Sequence, residues 1–267
     1  MSDSRISDSH YLRQSQYRTS DNLTARIVLN QRFATNPIDW FAWLRAQIEL
    51  APGARLLEVG AGPGRLWQDA PAAAPLLTDL SRGMLVEARQ RVPTAQVAVA
   101  DAQALPFPSA AFDRVTANHM LYHVPDMDRA AAELRRVLRP DGLLVAATNG
   151  RANLAEIEAL VSAALPDAPP FGRDQQRYCL ENAAAVLQPH FARVAIRRFE
   201  SDLLVTELEP LLAYLRSRWA LAELDAAAWG RLEAAATAAF AASGGALPIT
   251  RAQGAVLAWP HAAGGAG

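Results

Sequence analysis

An apolar run that breaks into closely spaced glycines is the feature of this chain best suited to hold a ligand. It reads Leu56-Leu57-Glu58-Val59-Gly60-Ala61-Gly62-Pro63-Gly64-Arg65-Leu66. Bare glycine backbone lets a ligand lie against it, and it permits a tight turn into the next element. That element is expected to be a helix, whose first turn would offer unpaired N–H groups and a positive dipole end. Dinucleotide-binding domains use a similar loop, but with Gly-x-Gly-x-x-Gly spacing rather than the Gly-x-Gly-x-Gly found here. Glu58 adds a sharper signal. A carboxylate two residues before the first glycine would repel a pyrophosphate, yet it can organise the loop and meet a cationic ligand.

Two further carboxylates follow at the ends of apolar runs. Asp79 closes Pro75–Leu80, where an ionised carboxylate can accept from both hydroxyls of a ribose. Nucleotide-binding oxidoreductases use that position too, and a helix N-cap or solvated loop Asp is the plainer reading. Asp101 follows Gln96–Ala100 and precedes Ala102-Gln103-Ala104-Leu105-Pro106-Phe107. It can accept from an adenine amino group while the neighbouring backbone meets the ring edge. Its plainer reading is again a helix cap.

These residues need a frame to converge. Short apolar runs at Leu56–Val59, Pro75–Leu80, Gln96–Ala100, Phe112–Ala117 and Gly142–Thr148 have the pattern of buried parallel strands. Helical stretches separate them. Leu85–Gln90 is one, and Arg129–Leu138 is another, amphipathic with Ala130, Leu134, Val137 and Leu138 inward and ended by Pro140-Asp141-Gly142. Strands alternating with helices predict an α/β parallel sheet with helices on both faces. Before it, residues 21–50 read as helical, with Leu23, Ile27 and Val28 beginning an apolar face that Trp40, Phe41, Trp43, Leu44 and Ile48 continue past Pro37. After it, Leu154–Leu165 and Leu180–Leu187 read as helices, and Phe191–Val205 and Thr250–Trp259 as long strands. Between those strands, residues 207–242 form a helical insertion with Leu211, Leu212, Leu215, Trp219, Leu221 and Leu224 available to pack.

The ordered set Glu58–Gly64, Asp79-Leu-Ser-Arg-Gly-Met84, Asp101–Phe107 and Phe112-Asp113 resembles the class I methyltransferases that use S-adenosylmethionine (SAM). The likeness is nearest to the ubiquinone/menaquinone-biosynthesis, or methyltransferase-11, type. Glu133-Leu-Arg-Arg-Val-Leu-Arg-Pro-Asp-Gly142 extends it, with Asp141 where a glycine is usual. The likeness is strong over residues 53–150 and looser beyond. It implies a Rossmann-like, seven-stranded sheet of order 3-2-1-4-5-7-6 with strand seven antiparallel. The expected organisation is a helical lid over 1–50, a SAM-binding domain over 51–260 with the 207–242 insertion as a substrate cap, and a frayed tail over 261–267 read from its Gly and Ala content.

The same resemblance distributes roles. Gly60, Ala61, Gly62 and Gly64 would lie against the methionine part of SAM, Asp79 would hold the ribose, and Asp101 with Ala102 and Gln103 would read the adenine. Leu80 and Met84 would pack on the adenosine. The reactive methyl would face the loop Asn118-His-Met-Leu-Tyr-His-Val-Pro-Asp126, a location the general rule for open α/β sheets also favours. Asn118 or His119 can touch the cofactor, while His119, Tyr122 or His123 can face the acceptor. A histidine of ordinary pKa near 6.5 can take a proton at neutral pH; otherwise these side chains simply pack. His119 and His123 lack an acidic third ligand at suitable spacing, so no metal is expected. Tyr17 can cover a cationic sulfur and Arg26 can pair with the methionine carboxylate. Tyr178, Arg216 and Trp219 are candidates for the acceptor pocket, Trp219 being equally suited to the core.

Composition narrows the function classes. The chain has 267 residues, is 51% hydrophobic and carries a formal charge of −1, which gives no global field for nucleic acid or an anionic membrane. No stretch approaches the ~20 apolar residues of a membrane-spanning helix. Cys179 is the sole cysteine, so no internal disulfide can form and a reducing, cytoplasmic setting is expected. The leading expectation is a SAM-dependent methyltransferase acting on N, O, S or C of a small molecule. The alternatives are cyclisation of SAM in the manner of azetidine-2-carboxylate synthases, an NAD-dependent oxidoreductase, and a binding module without catalysis. Oligomeric state is not readable from the sequence.

Overall fold

Nine strands and eight α-helices are defined in a computed structural model that describes residues 21–70, 73–167, 176–218, 221 and 224–260, apart from the side chains of 21–25. The principal sheet contains β1 (Leu56–Val59), β2 (Leu76–Asp79), β3 (Gln96–Val99), β4 (Phe112–Thr116), β5 (Leu138–Asn149), β6 (Arg193–Glu200) and β9 (Ala252–Trp259). Its order is β3-β2-β1-β4-β5-β9-β6. Strands β1 to β5 run parallel, and β9 lies antiparallel between β5 and β6. Counted along the chain, β9 is the seventh strand of this sheet, so the expected order and the expected reversed strand are both found.

The local chemistry explains where the elements begin. Asp39 accepts from the Ala42 amide at the head of α2 (Trp40–Ile48), and Ser81 does the same from Met84 at α3 (Arg82–Arg91). Asp126 caps α4 (Met127–Val137) through Arg129, and Asp225 caps α8 (Ala226–Ala242) through Ala228. Each such cap contributes about 1 kcal/mol and fixes the first turn. Helix α4 then buries Ala130, Leu134 and Val137 completely against the sheet, as the 3.6-residue period of its apolar side chains requires.

Several boundaries differ from the sequence reading. The helix expected over 21–50 is two helices, α1 (Asp21–Arg32) and α2, and α1 buries Leu29 while Val28 is exposed. Strand β5 starts at Leu138 rather than Gly142, because Arg139–Gly142 form a bulge between the Phe112↔Leu138 and Arg114↔Leu143 pairs. The long strand expected over Phe191–Val205 breaks after Glu200, and β7 (Leu203–Val205) joins β8 (Leu247–Ile249) in a separate two-stranded sheet.

Those two short strands belong to a second hydrophobic core. It gathers Leu29 from α1 and Phe33 just after it, Ile157 and Val161 from α5 (Ala155–Ala164), Leu211 and Leu215 from α7 (Leu208–Arg216), and Leu232 and Ala236 from α8. Helices α7 and α8 therefore pack on α1 and α5 as well as on each other. The remaining helix, α6 (Ala183–Leu187), packs with the main core.

β9 tolerates no side chain at its Gly254, where a Cβ would fall 2.3 Å from the Arg197 carbonyl oxygen. Gly254→Ala is expected to strain the β6–β9 pairing and lower the melting temperature by roughly 5 °C or more. An unchanged melting curve would show that the two strands separate at no cost.

Candidate functional site

The glycine loop leaves β1 through three left-handed glycines, Gly60, Gly62 and Gly64, with φ of 69°, 53° and 74°. Gly60 lies so close to the loop after β4 that a Cβ would come within 2.7 Å of Met120 Cγ. Gly62 has open space where a Cβ would stand, a bare surface facing the cavity described below. Gly64 instead packs on Ala88 and Val92 at the end of α3 and does not line that cavity. The helix expected after the loop is replaced by one 3₁₀ turn, Arg65–Trp67. Leu66 and Trp67 are both buried and Arg45 holds the Leu66 carbonyl at 2.8 Å, so the chain turns inward before a helix can form. The loop is therefore not followed directly by an α-helical N-terminus.

Glu58 is the hinge of the site. It is 3% exposed, and its carboxylate accepts from Trp67 Nε1 at 2.5 Å and from Asn118 Nδ2 at 2.9 Å. Asn118 Oδ1 in turn accepts from the Ala147 amide. Burial raises the Glu58 pKa from 4.5 to about 7; the Asn118 and Trp67 donors oppose this, and the nearby charge of Asp79 adds to it.

Asp79 stands at the end of β2 and accepts from the Gly62 amide at 2.9 Å and the Ser81 amide at 2.8 Å. It thereby holds the tip of the glycine loop against the neighbouring strand. Burial pushes its carboxyl above the ordinary range, against the backbone amides of Ser81, Gly62 and Leu80. Asp101 follows β3. Its Oδ1 accepts from the Gln103 amide at 2.8 Å, and the Gln103 side chain spans both oxygens at 3.1 and 3.2 Å. Gln103 Oε1 accepts from the Asp126 amide, which ties this turn to the start of α4.

The loop after β4 carries the proposed reactive side chains. His119 has a positive φ of 53°, and its amide donates to Ala147 O at 2.9 Å. Its ring lies 5.9 Å from that of Trp40. Burial, then the charge of Arg251, lowers its pKa from 6.5 to about 4, so it is a neutral imidazole at pH 7 rather than one poised near 6.5. Tyr122 and His123 meet edge to face with centroids 4.5 Å apart. Arg177 braces the loop by donating to the carbonyls of Tyr122, Val124 and Pro125.

These groups converge on one cavity of about 400 Å³, within the size range of small-molecule sites. Glu58, Gly60, Ala61, Gly62, Asp79, Leu80 and Met84 line it, as do Asp101, Ala102, Gln103, Asn118, His119, Tyr122 and His123. Arg26 lines it as well, with its guanidinium donating to Ser217 O at 2.6 Å and Ser217 Oγ at 3.3 Å. Two residues expected on the acceptor side, Tyr178 and Arg216, do not line this cavity. Tyr178 is fully buried in the main core, and Thr148 Oγ1 donates to its carbonyl. Arg216 points outward and pairs with Glu209 at 3.1 Å. Tyr17 and Trp219 lie outside the described residues. Among the described residues, no group of three or more His, Cys, Asp or Glu side chains is placed to hold a metal ion.

Arg218, Arg251 and Gln253, none of them expected at the site from the sequence, are all buried and all on the cavity wall. The available signal was the pair of polar side chains at the head of the otherwise apolar run 250–259.

A parallel sheet with an antiparallel seventh strand, and a ligand-sized cavity beyond the carboxyl ends of β1 to β5, is the architecture of class I SAM-dependent methyltransferases. Residues 57–146 match the family described as methyltransferase domain, of methyltransferase-11 type. The malonyl-[acyl-carrier protein] O-methyltransferase of Geobacter sulfurreducens is 38% identical over 175 residues, covering 61% of this chain and 64% of that protein. The ubiquinone/menaquinone biosynthesis C-methyltransferase UbiE of Ralstonia pickettii is 38% identical over 112 residues, covering 39% and 46%. The chain thus spans less than two thirds of the length of either relative. Among solved structures, a SAM-dependent methyltransferase of Thermotoga maritima aligns with TM-score 0.55 and 18% identity over 91% of this chain and 97% of that one. Phosphoethanolamine N-methyltransferase 2 of Haemonchus contortus, in complex with S-adenosyl-L-methionine, aligns with TM-score 0.57 and 18% identity over 95% and 60%.

Two titrations check this electrostatic picture. Glu58 binds its proton more tightly folded than unfolded, so its contribution to stability is full below pH 4.5 and is lost as the pH rises through about 7. Between pH 5 and 8 the melting temperature should fall more steeply than in Glu58→Gln; parallel curves would mean the carboxylate is ionised throughout. For His119, whose pKa sits near 4, ring ¹⁵N shifts should remain those of neutral imidazole at about pH 5.5. Imidazolium shifts there would contradict its burial.

Proposed function

We propose that this protein binds SAM and transfers its methyl group to a small-molecule acceptor. The observation that carries the reading is the convergence of Glu58, Asp79 and Asp101, from the ends of three adjacent parallel strands, on the one cavity bordered by the glycine loop. The donor set fits the group. Asp79 and Asp101 retain acceptor capacity beyond the loop amides and Gln103, which suits ribose hydroxyls and an adenine amine. The open face of Gly62 admits close backbone approach. A row of carboxylates also suits a cation better than a pyrophosphate.

When bound, SAM supplies a methyl group already activated on a positively charged sulfur. The chain's own contribution is then to bind, align and exclude water. Glu58 fixes the glycine loop relative to the loop after β4, so cofactor and acceptor share one rigid wall. His119, neutral at pH 7, can accept a proton or hydrogen bond from an acceptor in the cavity. Its low basicity fits it to orientation more than to deprotonating a weak acid. The relatives named above differ in the atom they methylate, oxygen in one and carbon in the other, so the acceptor atom is left to experiment.

Calorimetry with S-adenosylhomocysteine should show binding to the protein. Asp79→Ala and Asp101→Ala should each weaken it by about tenfold or more, since each removes hydrogen bonds to an ionised group. With SAM and an acceptor, the released nucleoside should be S-adenosylhomocysteine. Release of methylthioadenosine would point instead to cyclisation, and binding of NADH without SAM would refute the reading.

A further inference from the structure

The charges around the cavity are sorted. Glu58, Asp79 and Asp101 occupy the side formed by the ends of β1, β2 and β3, whereas Arg251 and Gln253 enter from the start of β9, with Arg218 following α7. Resting on the reading of this cavity as a site shared by cofactor and acceptor, we propose that Arg251 and Gln253 form an anion subsite for a carboxylate carried by the acceptor.

Arg251 is 6% exposed. One terminal nitrogen donates to Asn30 O at 3.2 Å and its backbone amide to Asp202 Oδ1 at 3.0 Å. Its Nε is buried without a partner among the described residues, and no ion pair joins it to a described carboxylate. Burial lowers its pKa to about 10, partly offset by the charge of Asp39, so it is still a cation at neutral pH. A buried guanidinium with only the Phe199 ring at 5.6 Å and the charge of Asp39 to offset its burial, and no ion pair among the described residues, is costly, and a carboxylate held by hydrogen bonds is the natural compensation.

Gln253 supplies the second donor. It is 7% exposed, and its Nε2 also lacks a partner among the described residues. It sits opposite Asn149 at the end of β5 and opposite Phe199 in β6, so the strand pairing holds it rigidly. Arg251 immediately precedes β9 and Gln253 lies at the start of its pairing, and both side chains line the same cavity. That arrangement can serve the two oxygens of one carboxylate.

The wall is fixed by relay. Asn30, which accepts from Arg251, donates to Arg26 O at 2.7 Å, and Arg26 holds Ser217 beside Arg218. The charge of Arg251 reaches His119, so a bound carboxylate would lie beside the loop after β4. Trp40, Phe41 and Leu154 also line the cavity, which fits an acceptor with an apolar body and an anionic end.

The probes are octanoate and 3-phenylpropanoate, each against its neutral amide, added to protein saturated with S-adenosylhomocysteine and read by calorimetry and thermal shift. The acids should bind about tenfold or more tightly than the amides, and Arg251→Met or Gln253→Leu should each remove most of that preference. Gln253→Leu keeps the test valid should Arg251→Met fail to fold. Failure of both acids to bind, equal binding of acids and amides, or a preference that survives both substitutions would overturn the proposal. So would competition between the acids and S-adenosylhomocysteine, which would place Arg251 on the cofactor's own carboxylate. If the wild-type protein does not bind S-adenosylhomocysteine, the cofactor reading fails by itself. Acid binding to the unliganded protein that depends on Arg251 would then still support the anion subsite.

Discussion

A single buried carboxylate organises the site. Glu58 leaves β1 with both oxygens engaged, one by the indole of Trp67 beyond the glycine loop and one by the amide of Asn118 beyond β4. Those two bonds fix the spacing between loops that would otherwise diverge from adjacent strands. Because the group is out of water, losing either donor would leave a buried charge poorly satisfied. The close fit of Gly60 under Met120 and the clamp of Asp79 on the Gly62 amide reinforce the same geometry.

Around that point, the cavity forms where three packed bodies meet. The main core beneath β1, β4 and β5 gives Met120, Tyr122 and Val124 to its wall; the second core gives Leu154 and Tyr214; and the layer containing α2 gives Trp40 and Leu44. Catalytic sites at such junctions gain rigid walls from each body while leaving open space between them. The sorting of charge across this space, acids from the early strands and arginines from β9 and the helices beside it, follows from which body supplies each wall.

Much of the cofactor side was legible from residue order. Glycines after an apolar run, then Asp79 and Asp101 closing the next two runs, each depend on a few neighbouring residues and on the alternation of strand and helix. The reversed last strand was implied by family resemblance rather than by periodicity. The helix expected after Gly64 was misread, since the glycine pattern permits a helix there but cannot show that Leu66 and Trp67 are both drawn inward. The acceptor side was less legible. Tyr178 and Arg216 have the right chemistry, yet the former is buried inside the main core and the latter faces outward to Glu209.

The sequence by itself determined the α/β alternation, the glycine loop, and the carboxylates at strand ends, because these are set by local pattern and short-range spacing. Tertiary structure decided that Glu58 is buried and shared between two loops, that His119 is neutral at pH 7, and that Arg251 and Gln253 reach the cavity. Burial, and with it pKa, depends on which distant segments pack around a side chain. Arg251 meets Asn30 across 221 positions of chain, a separation at which no local pattern carries information.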